Sequence, residues 1–127
     1  MKKIILDTNA MMAVAEFKLD IFRSLEDSCY FPYQLYVLSG TIDELQQIKE
    51  TQRGKFNLAA KLALGILSIK ISAGIVLVIS NKGKVDDLLA AYSKKRYLIL
   101  TQDVNLKKRL FKPYLTIRQK KFVVQVE

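Results

Sequence analysis

The sequence contains no histidine, no tryptophan and only one cysteine, Cys29, in its 127 residues. Without histidine, Ser-His-Asp and Cys-His catalysis, a histidine general base and histidine metal ligands are excluded. A single cysteine can form neither an intrachain disulfide nor a cysteine zinc site, and it fits a reducing cytoplasm. Any chemistry must therefore use carboxylates, Lys, Arg, Ser, Thr, Tyr or a bound metal.

The chain also lacks a long uncharged apolar run. The most apolar stretch, 56–71, is interrupted by Asn57, Lys61 and Lys70, and it is too short and too charged to span a bilayer. Only three apolar residues separate the initial Met-Lys-Lys from Asp7, so we expect no signal peptide. Half of the residues are hydrophobic, which is enough for a core. The sequence predicts one domain, 1–127, in the cytoplasm and with no membrane partner.

The formal net charge of +9 is concentrated in the last third of the chain. Residues 82–121 contain 12 of the 21 Lys and Arg residues but only three of the 12 acidic residues, so the remainder of the chain is neutral. A concentrated positive field favours contact with a phosphate backbone. A solvated basic surface that maintains solubility is the alternative explanation.

Apolar runs and turn residues predict an alternation of strands and helices. Strands are predicted at 3–7, 35–38, 75–79, 97–100, 115–117 and 122–126. Helices are predicted at 10–28 with a break near 17–20, from 39–41 to about 51, and at 55–72, 85–95 and 104–111. This alternation is typical of an α/β fold with a parallel sheet flanked by helices.

Four acidic residues lie at the ends of these elements: Asp7, Glu44, Asp86 and Asp103. Each has a structural explanation of its own, because Glu44 could close a capping box with Thr41, and the aspartates could form an Asx-turn or stabilise helix N-termini. In a right-handed parallel sheet, however, these ends meet at the edge where ligands bind. Several carboxylates at one point repel each other unless a cation lies between them, and hard oxygen ligands suit Mg²⁺ or Mn²⁺.

Four segments of the chain resemble the motifs of the PIN domain, a metal-dependent ribonuclease fold. They are Leu6-Asp7-Thr8-Asn9, Thr41-Ile42-Asp43-Glu44-Leu45, Val85-Asp86-Asp87-Leu88-Leu89 and Leu100-Thr101-Gln102-Asp103. The resemblance covers essentially the whole chain. It implies a three-layer α/β/α sandwich with a mainly parallel central sheet and a VapC-like active site. The basic ending Ile117-Arg118-Gln119-Lys120-Lys121 is similar to archaeal PIN proteins related to the small-subunit rRNA-processing nucleases of eukaryotes.

The resemblance also implies the members of the site. Asp7, Glu44, Asp86 and Asp103 are expected to meet around one or two Mg²⁺ or Mn²⁺ ions and to carry out catalysis. Asp86 and Asp87 compete for the third position; Asp86 matches the family pattern, in which the acid comes first, and Asp87 would lie about 100° further around the helix. Thr8, Asn9, Asp87 and Thr101 are expected to hold these acids or a water.

The implied activity is hydrolysis of RNA phosphodiesters, in RNA processing such as rRNA maturation. A toxin of a toxin–antitoxin pair and a PIN-like module that only binds RNA within an assembly are the alternatives, so an antitoxin or a ribosome-assembly partner stays open. We expect basic residues beside the site to contact the RNA backbone: Lys82, Lys84, Lys107, Lys108 and Arg109. Core packing is the expected role of Tyr92, Tyr97 and Phe111, with base stacking as the alternative.

The helix predicted at 55–72 is apolar on nearly all sides. Such a helix must be buried on more than one side. In so small a domain, a second copy of the chain is one way to provide that cover. The sequence therefore allows a homodimer.

Overall fold

The computed structural model describes all 127 residues as six strands and six helices. The strands are β1 (Lys2–Leu6), β2 (Tyr33–Leu38), β3 (Val76–Ile79), β4 (Leu98–Leu100), β5 (Tyr114–Arg118) and β6 (Phe122–Val126). The helices are α1 (Thr8–Phe17), α2 (Ile21–Ser28), α3 (Ser39–Thr51), α4 (Lys55–Ser72), α5 (Val85–Lys94) and α6 (Val104–Lys107).

All six strands form one sheet in the order β3-β2-β1-β4-β5-β6. The first five strands in this order run parallel, and only β6 is antiparallel to its neighbour β5. β1 is hydrogen-bonded to β2 on one side and β4 on the other. The carboxyl ends of the parallel strands therefore share one edge of the sheet, which is the ligand-binding edge of open α/β sheets.

Helices cover both faces of this sheet. Ile4 and Leu6 of β1 pack into a core with α1–α4, whereas the intervening Ile5 packs with α5 and α6 on the opposite face. This alternation follows from the two-residue period of a strand, and both faces are apolar because both are buried. The predicted three-layer α/β/α sandwich with a mainly parallel sheet is thereby confirmed.

Most element boundaries agree with the sequence predictions, including the bounds of α4 and the break between α1 and α2. α3 begins at Ser39, within the predicted range, and it has no side-chain cap, so the capping box considered as an alternative role for Glu44 does not form. One prediction is wrong, because α6 ends at Lys107 rather than at residue 111.

α4 packs onto the domain along one face and presents apolar residues on another. Ala59, Ala60, Ala63 and Leu67 are buried, whereas the exposed apolar residues of the helix are Phe56, Leu58, Leu62 and Ile69. A single copy of the chain thus covers only part of this apolar helix. No helix in the structure is both long enough and apolar enough to cross a membrane.

Candidate active site

Asp7 lies at the point where β1 ends and α1 begins. Its side chain is only 4% exposed. Oδ1 accepts a hydrogen bond of 2.7 Å from the backbone N–H of Thr8, and Oδ2 accepts one of 2.7 Å from the hydroxyl of Thr101, which follows β4. The turn-forming sequence after β1 therefore fixes Asp7 as the N-cap of α1, and the neighbouring parallel strand supplies its second partner.

The pKa of the Asp7 carboxyl is raised from 3.8 to about 6, chiefly by burial and to a smaller extent by the nearby charges of Asp86 and Glu44. The hydrogen bonds from Thr101 and Thr8 act in the opposite direction. No Lys or Arg forms an ion pair with Asp7, because the only ion pair in the structure joins Arg109 to Asp87. Asp7 is thus a buried acid without a compensating cation from the chain.

Three polar residues hold the surroundings of Asp7 in place. The Thr8 hydroxyl donates a hydrogen bond of 2.6 Å to Glu44 Oε1 of α3. Asn9 Oδ1 accepts one of 3.0 Å from the backbone N–H of Gln102, and Thr101 Oγ1 accepts one of 3.0 Å from that of Asp103. Thr8, Asn9 and Thr101 therefore connect the ends of β1 and β4 with the start of α3.

Close contact between two helix starts brings Glu44 near Asp86. A Cβ atom built on Gly40 would lie 2.9 Å from Val85 Cγ2, so only glycine permits the observed approach of α3 and α5. An open cleft lies there, lined by Gly40, Glu44, Gly83, Lys84, Val85, Asp86, Asp87 and Arg109. Gly40 was not among the predicted site residues, although a glycine at a strand-to-helix junction is a recognisable signal of close approach.

Asp86 and Asp87, adjacent in the first turn of α5, have different partners. Asp86 is close enough to Asp7 to raise its pKa. Asp87 Oδ1 instead accepts a hydrogen bond of 2.7 Å from Arg109 Nη2, and both of these side chains are largely exposed. Asp86 thus interacts with the buried acid, and Asp87 positions a guanidinium at the same cleft.

Asp103 caps a helix. Its Oδ1 accepts hydrogen bonds from the backbone N–H groups of Asn105 and Leu106, at 2.9 and 3.2 Å, in the first turn of α6. It does not contribute to the raised pKa of Asp7. Its charge acts on Lys107, whose pKa is lowered mainly by burial and by Arg118, an effect that Asp103 opposes.

The chemistry of these donors fits a divalent metal ion. As the side chains stand, no three acidic or cysteine residues are grouped closely enough to hold one. Asp7 is nevertheless a buried oxygen donor that no cationic side chain neutralises, and Glu44 and Asp86 are near enough to act on its charge. Carboxylate oxygens without nitrogen or sulfur ligands suit hard cations such as Mg²⁺ or Mn²⁺.

The five basic residues expected to contact RNA divide into two groups. Lys84 and Arg109 line the cleft beside Glu44 and Asp86. Lys82, Lys107 and Lys108 lie outside its lining. Tyr92 and Tyr97 pack against each other with ring centroids 4.9 Å apart, which agrees with their expected role in the core. Phe111 is instead 57% exposed, because the helix that would have carried it ends at Lys107.

The fold and the carboxylates at one sheet edge define a class of protein. The family model described as a PIN-like domain matches residues 4–120, so the chain belongs to the PIN-like domain family. It is 27% identical over 129 residues to ribonuclease VapC4 of Methanocaldococcus jannaschii, covering 96% of this chain and 95% of that protein. Its fold is similar to the structure of the PIN domain endonuclease Utp24, with a TM-score of 0.75 at 20% identity, covering 97% of this chain and 90% of that one.

Proposed function

We propose that this chain is a metal-dependent endoribonuclease that hydrolyses RNA at the cleft between α3 and α5. The observation that carries this proposal is the buried Asp7 carboxylate, which has no cationic partner and interacts with Glu44 and Asp86. Membership of the PIN-like family and the similarity to ribonuclease VapC4 over nearly the whole chain support RNA as the substrate.

Asp7, Glu44 and Asp86 would hold one or two Mg²⁺ or Mn²⁺ ions, and Asp103 is the fourth candidate ligand. The hydrogen bonds of Asp103 involve Oδ1, which leaves its Oδ2 for a metal or a bound water. Such a cation, when bound, lowers the pKa of the attacking water and offsets the negative charge that builds on the phosphate.

Residues in and beside the cleft position these groups. The Thr101 hydroxyl and the Thr8 N–H fix both oxygens of Asp7, and the Thr8 hydroxyl orients Glu44. Lys84 and Arg109 line the same cleft and can hold the phosphate that is cleaved. The hydrogen bond to Asp87 preorganises the Arg109 guanidinium for that contact.

Cleavage of a labelled, structured RNA in Mn²⁺ tests the proposal. We expect Asp7→Asn and Asp103→Asn to lower the cleavage rate at least about 100-fold, because each removes a charged ligand of the cation that would stabilise the transition state. Asp43→Asn is the matched control, since Asp43 is an exposed acid on α3 next to Glu44. Undiminished activity in both purified site variants would show that the site is assigned wrongly.

The same chemistry could serve rRNA maturation or a toxin, and mapping of cleaved RNAs in cells separates these roles. Processing predicts cuts at defined positions in precursor RNA that disappear in cells carrying Asp7→Asn. A toxin predicts growth arrest by the wild-type chain that a co-expressed antitoxin relieves. Robust cleavage by the isolated protein would exclude a module that only binds RNA.

A further inference from the structure

A basic groove lies at the opposite edge of the sheet from the carboxylate cleft. It has a volume of about 690 Å³ and is lined by six Lys or Arg residues, Lys2, Lys3, Lys94, Lys95, Arg96 and Lys112, and by no acidic residue. They come from the start of β1, the end of α5 and the segment before β5, so three separate parts of the chain converge on one positive surface.

None of the six basic side chains has an acidic partner. The only ion pair in the structure, between Arg109 and Asp87, lies at the other edge of the sheet. Lys94, Lys95 and Arg96 are favourably placed at the carboxyl end of α5, where a cation stabilises the helix dipole. Lys2 and Lys3 of β1 and Lys112 do not lie at a helix end, so they do not stabilise a helix dipole. The groove is therefore a surface where like charges repel each other until a polyanion is bound.

Arg96 occupies a backbone position that favours glycine. Its φ of 70° lies in the left-handed region, and its N–H donates to the carbonyl of Ser93 as the residue that terminates α5. Glycine adopts this conformation without steric cost, whereas a residue with a Cβ does not. Replacing Arg96 by glycine would therefore remove one charge from the groove without straining the backbone.

Phe111 provides an exposed aromatic surface at the wall of this groove. Although 57% exposed, it is held in position because the buried Ser93 hydroxyl accepts a hydrogen bond of 2.8 Å from its backbone N–H. Unpaired RNA bases stack on such rings next to a basic surface that follows the backbone.

We propose that this basic groove binds a single-stranded segment of the RNA whose cleavage takes place at the opposite edge, with phosphates on the lysines and a base on Phe111. The proposal rests on RNA being the substrate of the carboxylate cleft. Lys2 and Lys3 begin β1 and Asp7 follows its last residue, so the two sites are separated by roughly 17 Å, the length of a five-residue strand. Only an RNA longer than the cleft itself can occupy both.

Fluorescence anisotropy with labelled single-stranded RNA in EDTA measures this contact without cleavage. Lys94→Gln/Lys112→Gln should weaken binding of a long RNA about 20-fold at 0.1 M salt and reduce the slope of log K against log salt by about 1.4, as expected for two lost phosphate contacts. Arg23→Gln/Lys61→Gln is the matched control, because it removes the same charge from exposed residues outside the groove and should bind almost like the wild type.

Arg96→Gly separates binding from folding. Because glycine suits the left-handed backbone at this position, the variant should melt at the same temperature as the wild type or higher, yet bind the long RNA several-fold more weakly. Phe111→Ala should weaken binding of the long RNA without changing the salt dependence, since it removes stacking rather than charge. Unchanged RNA affinity in Arg96→Gly and in the double lysine variant would overturn the proposal.

RNA length provides the remaining control. The shortest RNA that the wild type cleaves should be cleaved equally fast by the double lysine variant, and a difference should appear only with longer RNA. If the double lysine variant lost the same fraction of the cleavage rate at every RNA length, the groove would not be a separate contact. If the double lysine variant bound RNA like the wild type but no longer bound polyglutamate, the groove would instead be assigned to an acidic protein. If the wild type cleaves no RNA, the proposed function fails while the binding result in EDTA stands.

Discussion

At the scale of single residues, Asp7 combines burial with an uncompensated negative charge. A carboxylate in this position is a cost to folding, because its ionised form loses hydration without gaining a cationic partner. The hydrogen bonds from Thr8 and Thr101 offset only part of this cost, since the pKa of Asp7 still lies at about 6. A bound divalent cation would offset the rest.

This residue should make the stability of the protein depend on pH. Because the pKa of Asp7 is about 6 in the folded chain and 3.8 ordinarily, the folded state binds more protons between these values, and stability falls as pH rises through this range. The loss amounts to about 3 kcal/mol at most. We therefore expect Asp7→Asn to raise the melting temperature at pH 7.5 and to leave it unchanged at pH 3.5, as measured by thermal denaturation in EDTA.

Added Mn²⁺ completes this test. It should raise the melting temperature of the wild type at pH 7.5 but have little effect on Asp7→Asn, because metal binding stabilises only the form that binds it. Equal shifts in the two proteins would place the metal elsewhere, and a melting temperature of Asp7→Asn below that of the wild type at pH 7.5 would contradict the assigned cost of the buried charge.

The sequence alone located these residues well but not their interactions. Asp7, Thr8, Asn9 and Thr101 were predicted from motifs at strand ends, and they form one hydrogen-bonded group. The distinct partners of Asp86 and Asp87 could not be read from the sequence. These partners depend on the position of Arg109. That residue follows α6, which ends at Lys107, earlier than its apolar pattern predicts.

At the scale of elements, the site depends on how closely α3 and α5 approach. α3 follows β2 and α5 follows β3, and these two strands are neighbours in the sheet. The contact between Gly40 and Val85 sets the separation of the two helix starts. Local pattern predicted α4 and α5 accurately, because long apolar periodicity is a strong signal. The predicted start of α3 agrees with the structure, but the capping-box spacing of Thr41 and Glu44 does not determine the role of Glu44, because its carboxylate accepts a hydrogen bond from the Thr8 hydroxyl.

Gly40→Ala tests this contact. The added methyl group would lie 2.9 Å from Val85 Cγ2, so it should push the two helix starts apart and lower the cleavage rate about tenfold or more, with a loss of stability of roughly 1–3 kcal/mol. Val85→Ala in the same chain removes the clash and should restore much of the rate. A fully active single variant would show that the separation of α3 and α5 is not critical.

At the scale of the whole molecule, the apolar surface of α4 is the feature that a single copy leaves uncovered. Leu58, Leu62 and Ile69 are exposed along one side of the helix. Gly65 lies in the same helix, and no atom comes within 4 Å of a Cβ built on it. Glycine within a helix costs about 1 kcal/mol, and close approach of a second helix would account for its presence.

We therefore expect the chain to form a homodimer through α4. Light scattering should give a mass near twice the 14.5 kDa of the single chain, and Leu62→Asp should reduce it to the mass of one chain by placing a charge in the contact. Lys61→Asp, a change to an acid at the adjacent exposed position, is the control. A monomer at micromolar concentration in the wild type would refute the expectation.

Asp7, the buried acid beside the cleft, directly follows the last residue of β1, and the first two residues of the same strand, Lys2 and Lys3, line the basic groove. Hydrogen bonds from β2 and β4 on both sides hold this strand rigid, so the two ends cannot move independently. An RNA bound at both the groove and the cleft would therefore have its two contact points at a fixed separation. In such a complex the length of β1 would fix the distance between the two RNA contacts, so the RNA would be cleaved at a constant number of nucleotides from the segment bound in the groove.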